Sequence, residues 1–287
     1  MSTSHHETID QFRIGQKPNY IAQDDEEVIF RTAFAAKIPL ILKGPTGCGK
    51  TRFIEHMAHE LSLPLVTVSC HEDLTAADLV GRYLFKRDEM VWQDGPLTLA
   101  VRHGGICYLD EIVEARKDTT VIIHSLTDDR RMLYVDKTGE VVRAHPNFMM
   151  VLSYNPGYQS IVKDLKHSTK QRFASVSFTH PPADVETRII ATETGLNDDD
   201  SRKLAEMGTK VRQLTGYGLD EGVSTRLLVY VGRLVTGGLD PVEACRAAVT
   251  HTLTEEREVA RSIEDIVQLY FGEITAEENG EPSSKSE

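Results

Sequence analysis

The chain has no C-x-x-C pair. Cys48, Cys70, Cys107 and Cys245 are its only cysteines and stand far apart, so a structural zinc site is not expected. It also has no basic stripe. A net charge of -12 lacks the electrostatic footprint of a nucleic-acid binder, so no nucleic-acid partner is expected. No apolar run reaches the 18 residues that a membrane span needs, so no membrane partner is expected. The opening MSTSHHETIDQF has no basic start followed by an apolar core and does not read as a signal peptide. There is a single tryptophan, Trp92. These absences, with unpaired thiols, point to a cytoplasmic protein. Hydrophobic residues make up 40% of the 287, enough for a substantial core in one or two domains.

Against that background one stretch stands out, LILKGPTGCGKTRFIEHMAHEL, from Leu40 to Leu61. Gly44-Pro45-Thr46-Gly47-Cys48-Gly49-Lys50-Thr51 fits the phosphate-binding pattern G-x-x-x-x-G-K-[ST]. An apolar run, Ile38 to Leu42, precedes it and reads as a buried strand. Ile54, Met57, Ala58 and Leu61 follow at helical spacing. The chemistry requires this order. Glycines let successive N–H groups ring a phosphate, and the helix start adds the positive end of its dipole. Lys50 reaches the β- and γ-phosphates, and Thr51 offers a hydroxyl to Mg²⁺. Cys48 is a small filler in this loop, or else a thiol whose modification blocks nucleotide.

Ile106 to Leu109 is a second apolar run, and it ends in Asp110-Glu111. After a P-loop, this pair predicts that Asp110 holds Mg²⁺ and that Glu111 orients the attacking water. Phe148 to Ser153 is a third run, ending in Tyr154-Asn155-Pro156-Gly157. Asn155 either caps its own turn ahead of Pro156 or faces the ligand crevice of a parallel sheet. Beside the other motifs, the second reading places it on the γ-phosphate or its attacking water.

Five strands are expected: 38–42, 65–70, 106–109, 148–153 and 174–178. Their alternation with helices predicts an α/β doubly wound parallel sheet. Phe12-Arg13-Ile14 reads as an edge strand, Asp24 or Asp25 as the cap of a helix over 26–36, and 71–81 as a polar loop. Asn19-Tyr20-Ile21 suits an adenine pocket or ordinary packing. Residues 133–142 form a hairpin insertion with Gly139 in its turn. The aromatics from Tyr83 to Trp92 either grip a partner or pack their own hairpin. A core over 1–182 is followed by an all-helical domain over 183–271. There Asp240-Pro241-Val242-Glu243 reads as a capping box and Ser262 as the start of the last helix. The tail over 272–287 is acidic and expected to be disordered. Arg226 sits at a helix start, where a cation opposes the dipole, a local conflict more common at functional sites.

Taken in order, these features resemble an AAA+ ATPase of the MoxR group. The stretches HEDLTAADLVGRYL, WQDGPLTLAVRHGGICYLDEI and SYNPGYQSIVKDLKHSTKQRF are similar to the CbbQ/NirQ/NorQ subfamily, nearest its CbbQ, Rubisco-activating branch. The resemblance covers about residues 15–271 and implies roles for matching positions. Gly44–Thr51 matches Walker A, Asp110 and Glu111 match Walker B, Asn155 sensor 1 and Arg226 sensor 2. Arg172 matches the arginine finger that completes a neighbour's site. Lys170 stands where a second arginine is usual, and Arg172 is preferred because a guanidinium fork matches phosphate oxygens. The resemblance further implies ATP and Mg²⁺ as cofactors and a homo-hexameric ring whose central opening is lined or capped by the loop around Leu74–Leu79 and the 133–142 hairpin. It implies a CbbO-like partner with a von Willebrand factor A domain, and Rubisco as a client from which inhibitory sugar phosphates are released. NorQ/NirQ-like metal insertion into nitric oxide reductase is the alternative, which the motifs do not separate. A P-loop small-molecule kinase would need an acceptor pocket and no finger in trans. Glu111 argues against a non-hydrolysing switch.

Overall fold

The computed structural model describes residues 9–86, 88–156 and 165–272. The expected acidic tail, apart from Gly272, and residues 157–164 lie outside them. The chain divides into two compact units, 1–181 and 182–287.

In the first unit, α1 (Glu26–Ala36) leads into β1 (Leu40–Lys43), α2 (Lys50–Glu60) and β2 (Leu65–Ser69). α3 (Ala76–Val80) precedes an antiparallel hairpin of β3 (Gly81–Lys86) and β4 (Glu89–Asp94). α4 (Pro96–His103) feeds β5 (Gly105–Asp110), and α5 (Lys117–Ile122) follows. A second hairpin, β6 (Met132–Val135) with β7 (Glu140–Arg143), precedes β8 (Phe148–Tyr154), α6 (His167–Lys170) and β9 (Ala174–Ser177). Five strands make one parallel sheet in the order β2-β5-β8-β1-β9.

Strand alternation explains the layering. Ile41, Cys107, Leu109, Met150 and Leu152 point to the face covered by Leu97, Ala100 and Val101 of α4. Leu40, Leu42, Ile106, Tyr108, Met149 and Val151 point to the opposite face, covered by Phe30 of α1 and Phe53, Ile54 and Met57 of α2. All seven residues of β8 are buried, as a central parallel strand requires. The chain leaves β1 toward β2 at one edge, works back to β8 beside β1, then passes to β9 on the far side. The reversal lies beside β1, where open α/β sheets bind ligands.

Local chemistry shifts several expected elements. Ile9–Phe12 is a 3₁₀ turn, and only Arg13 pairs, with Pro64, so the edge strand is absent. The 71–81 stretch contains α3, because Thr75 and Asp78 close a reciprocal capping box. Leu74 and Leu79 are buried in the core, so neither apolar side chain is available to line an opening. α1 starts after Asp25, yet neither aspartate caps it through its side chain. Instead the buried Glu26 carboxylate accepts from the Gln23 and Asp24 amides and from the Tyr20 hydroxyl.

The second unit holds α7 (Ala183–Thr194), α8 (Asp198–Arg212), α9 (Thr225–Thr236), α10 (Pro241–Cys245), α11 (His251–Leu253) and α12 (Arg257–Phe271). Ile190, Leu204, Met207, Val211, Leu228, Val231 and Ile263 form its core. Gly195 ends α7 in the left-handed conformation, φ 72°. Asp240 caps α10 through the Val242 and Glu243 amides, but Glu243 pairs with Arg246 and leaves the box half made. α12 begins at Arg257, one turn and more before Ser262, whose hydroxyl bonds back to the Glu258 carbonyl.

Candidate active site

The central strands β5, β8 and β1 lie side by side, and each ends at a chemically loaded residue. β1 runs into the glycine loop, β5 ends on Asp110, and β8 is followed by Asn155. The sheet thereby brings together residues about 45 to 110 positions apart.

Only glycine fits the start of the loop. At Gly44 φ is +156°, and a Cβ there would meet the Phe178 carbonyl oxygen at 2.5 Å. Gly47 and Gly49 also have positive φ, 66° and 106°, and Gly49 is the N-cap of α2. Lys50 Nζ donates to the Gly44 and Pro45 carbonyls at 2.7 and 2.8 Å, so the ammonium lies along the loop. Cys48 is 2% exposed and packs into the core beside Phe53 and Ile54, which makes it filler rather than a reactive thiol.

The acidic pair is tightly held. Asp110 Oδ1 accepts from the Tyr108 hydroxyl at 2.7 Å and from the Ser153 hydroxyl. Ser153 Oγ in turn accepts the Glu111 amide at 3.1 Å. Glu111 has φ 54°, a left-handed conformation that a non-glycine residue adopts at some cost and that recurs at functional sites. The thiol of Cys70, just beyond β2, is pushed up to about 12, first by burial and then by the neighbouring Asp110 and Glu111 charges. Asn155 Nδ2 donates to Thr46 Oγ1 at 3.4 Å, linking the end of β8 to the loop.

Arg172 is placed differently from these. Its guanidinium contacts Asp128 Oδ2 and the His124 carbonyl, both at 3.3 Å. Asp128 is shared with Arg130, and that pairing leads in holding the carboxyl down at about 2. Lys170 Nζ sits 5.7 Å from the centre of the Tyr154 ring.

Arg226 belongs to the second unit. It is exposed in the first turn of α9, which Ser224 caps by accepting the Leu227 amide. Its neighbour Thr225 donates to Glu186 Oε1 at 2.6 Å. Glu186 is fully buried and takes both terminal nitrogens of Arg212, at 2.7 and 2.8 Å.

Sequence reasoning passed over Tyr108, Ser153 and Asp128. The first two had a signal. Tyr108 shares a strand face with Asp110, and Ser153 is a hydroxyl in an apolar run on the face of Asn155. Asp128 had none, since its pairing with Arg172 is made by the fold.

Fold and site define the class, an AAA-domain ATPase. Residues 39–173 match the model of the AAA domain (dynein-related subfamily), and residues 186–270 match the CbbQ/NirQ/NorQ C-terminal model. Protein CbbQ of Hydrogenophilus thermoluteolus is 54% identical over 261 residues, 91% of this chain and 98% of that one. Protein NorQ of Paracoccus denitrificans is 54% identical over 255 residues, 89% of this chain and 94% of its own. Denitrification regulatory protein NirQ of Pseudomonas aeruginosa is 51% identical over 253 residues, 88% and 97% of the two chains. The chain belongs to the CbbQ/NirQ/NorQ family of AAA-type ATPases. No helix among the described residues is long and apolar enough to cross a membrane.

Proposed function

We propose that this ATPase is the motor of a homo-hexameric, cytoplasmic remodelling machine that acts on inhibited Rubisco. In this reading a partner with a von Willebrand factor A domain delivers the client, and turnover drives the release of tightly bound sugar phosphates. The carrying observation is the convergence of the glycine loop, Asp110-Glu111 and Asn155 on the ends of three adjacent strands.

Each residue has a physical task. The loop amides and the start of α2 bind phosphate. Lys50 neutralises the β- and γ-oxygens once its ammonium turns from the Gly44 and Pro45 carbonyls. Glu111 orients and polarises the attacking water. Asn155 fixes that water or the γ-phosphate from the far side of the loop. Arg226 senses the γ-phosphate from the helical unit. Arg172 leaves Asp128 and completes the site of a neighbouring subunit, while Arg130 keeps Asp128 neutralised.

The residues fit Mg²⁺. Thr51, in the first turn of α2 behind the loop, and Asp110, at the end of β5, put two hard oxygen donors at the same end of the parallel sheet. Mg²⁺ takes few protein ligands and keeps waters and substrate phosphates. Accordingly, no group of three or more metal-binding side chains is needed, and none occurs among the described residues. When bound, the ion would offset charge on the β- and γ-phosphates.

The CbbQ and NorQ relatives match at equal identity, which keeps nitric oxide reductase as the second client. A pull-down from the source cell's extract, with Glu111→Gln as bait in ATP and Mg²⁺, separates them. Rubisco with a von Willebrand-type protein supports the first reading. A nitric oxide reductase component replaces the client and leaves the motor intact.

A further inference from the structure

Tyr108 is fully buried on the α2 face of the sheet, yet its hydroxyl reaches the acidic end of its own strand. It donates to Asp110 Oδ1 at 2.7 Å. Proton bookkeeping sets the directions. A carboxylate only accepts, and a phenol has one proton to give. The Tyr108 proton therefore goes to Asp110 Oδ1. Ser153 works in the same sense. Its single proton goes to Asp110 Oδ1, so it receives the Glu111 amide, and Asp110 Oδ2 is left for a metal-bound water.

We propose that Tyr108 is a positioning residue for the nucleotide's divalent cation, fixing the carboxylate of Asp110 through its Oδ1, with Ser153 as the second support of the same oxygen. This rests on Thr51 and Asp110 being the metal-holding pair. Outer partners of metal ligands typically contribute about 10–100-fold to metal affinity, and a buried hydroxyl bonded to a ligand oxygen belongs in that range.

The test is Tyr108→Phe, which keeps the ring and removes one oxygen. Mn²⁺ binding to the protein–ADP complex is followed by electron paramagnetic resonance, and fluorescent ADP binding is measured with and without Mg²⁺. Mn²⁺ affinity should fall about 10–100-fold, while metal-free nucleotide affinity stays within about twofold of wild type. Thr51→Ala and Asp110→Asn serve as references. If they lose Mn²⁺ and Tyr108→Phe binds it as wild type does, Tyr108 is packing alone and the proposal is wrong. If the references also bind Mn²⁺ normally, the metal-holding pair was misassigned, and the proposal falls with it. Should Tyr108→Phe not fold, Ser153→Ala removes the other bond to the same oxygen and is judged by the same two readouts.

Discussion

Arg212→Met tests the buried ion pair behind the start of α9. Arg212 places two nitrogens on Glu186 at 2.7 and 2.8 Å and a third on the Val223 carbonyl at 2.8 Å. Glu186 is fully buried, and the Arg212 side chain is 14% exposed. Methionine fills much of the stem's volume but leaves the carboxylate with the Thr225 hydroxyl alone. Charge-assisted bonds contribute about 1.5–3 kcal/mol each, and breaking a buried pair from one side costs about 3–5 kcal/mol. With a urea m-value of about 2 kcal/mol/M, the midpoint should fall by about 1.5–2.5 M when unfolding is followed by circular dichroism at 222 nm. The double variant Glu186→Leu with Arg212→Met removes both charges, and its stability should return to within about 1–2 kcal/mol of wild type. A loss below about 1 kcal/mol in the single variant, or a double variant as unstable as the single one, would refute an uncompensated buried charge as the cause.

Glu111→Gln should bind ATP with wild-type affinity and lose turnover by about 10²-fold or more, as expected for loss of the group that handles the attacking water; single-turnover kinetics would detect a retained rate. Arg172→Ala should lower hydrolysis by about 10³-fold or more and poison mixed rings, so activity that scales linearly with the wild-type fraction would disprove a role in trans. All four cysteines are buried, so a bulky thiol reagent should label none of them in the native protein. The thiols of Cys70, Cys107 and Cys245 are held up at about 12, against 9.0 ordinarily, chiefly by burial. The folded state therefore keeps protons that the unfolded chain releases, and above pH 9 stability should fall by about 1.4 kcal/mol per pH unit for each thiol. Cys245→Ala should remove one thiol's share of that slope in urea titrations between pH 9 and 10.5.

The sequence by itself determined the site's inventory and most of the sheet. Glycine spacing before Lys50-Thr51, an apolar run ending in Asp110-Glu111 and another ending before Asn155 are local signals, because strand burial and phosphate binding each demand a fixed residue type at a fixed offset. The three central strands were legible for the same reason, as near-continuous buried apolar runs, while the flanking LVTVS and ASVS strands carry exposed polar positions. Helix starts were less legible. Glu26 took the amides expected of Asp24 or Asp25, and α12 began at Arg257, because competing side chains within a turn differ by only about 1 kcal/mol. Only the tertiary structure decided which strands are neighbours, and so that three distant motifs lie at the ends of adjacent central strands. It alone paired Arg172 with Asp128, Arg212 with Glu186, and Ser153 with Asp110. Such contacts span tens of residues and obey no sequence period. They exist because packing elements into a core buries polar groups that must then find partners in space.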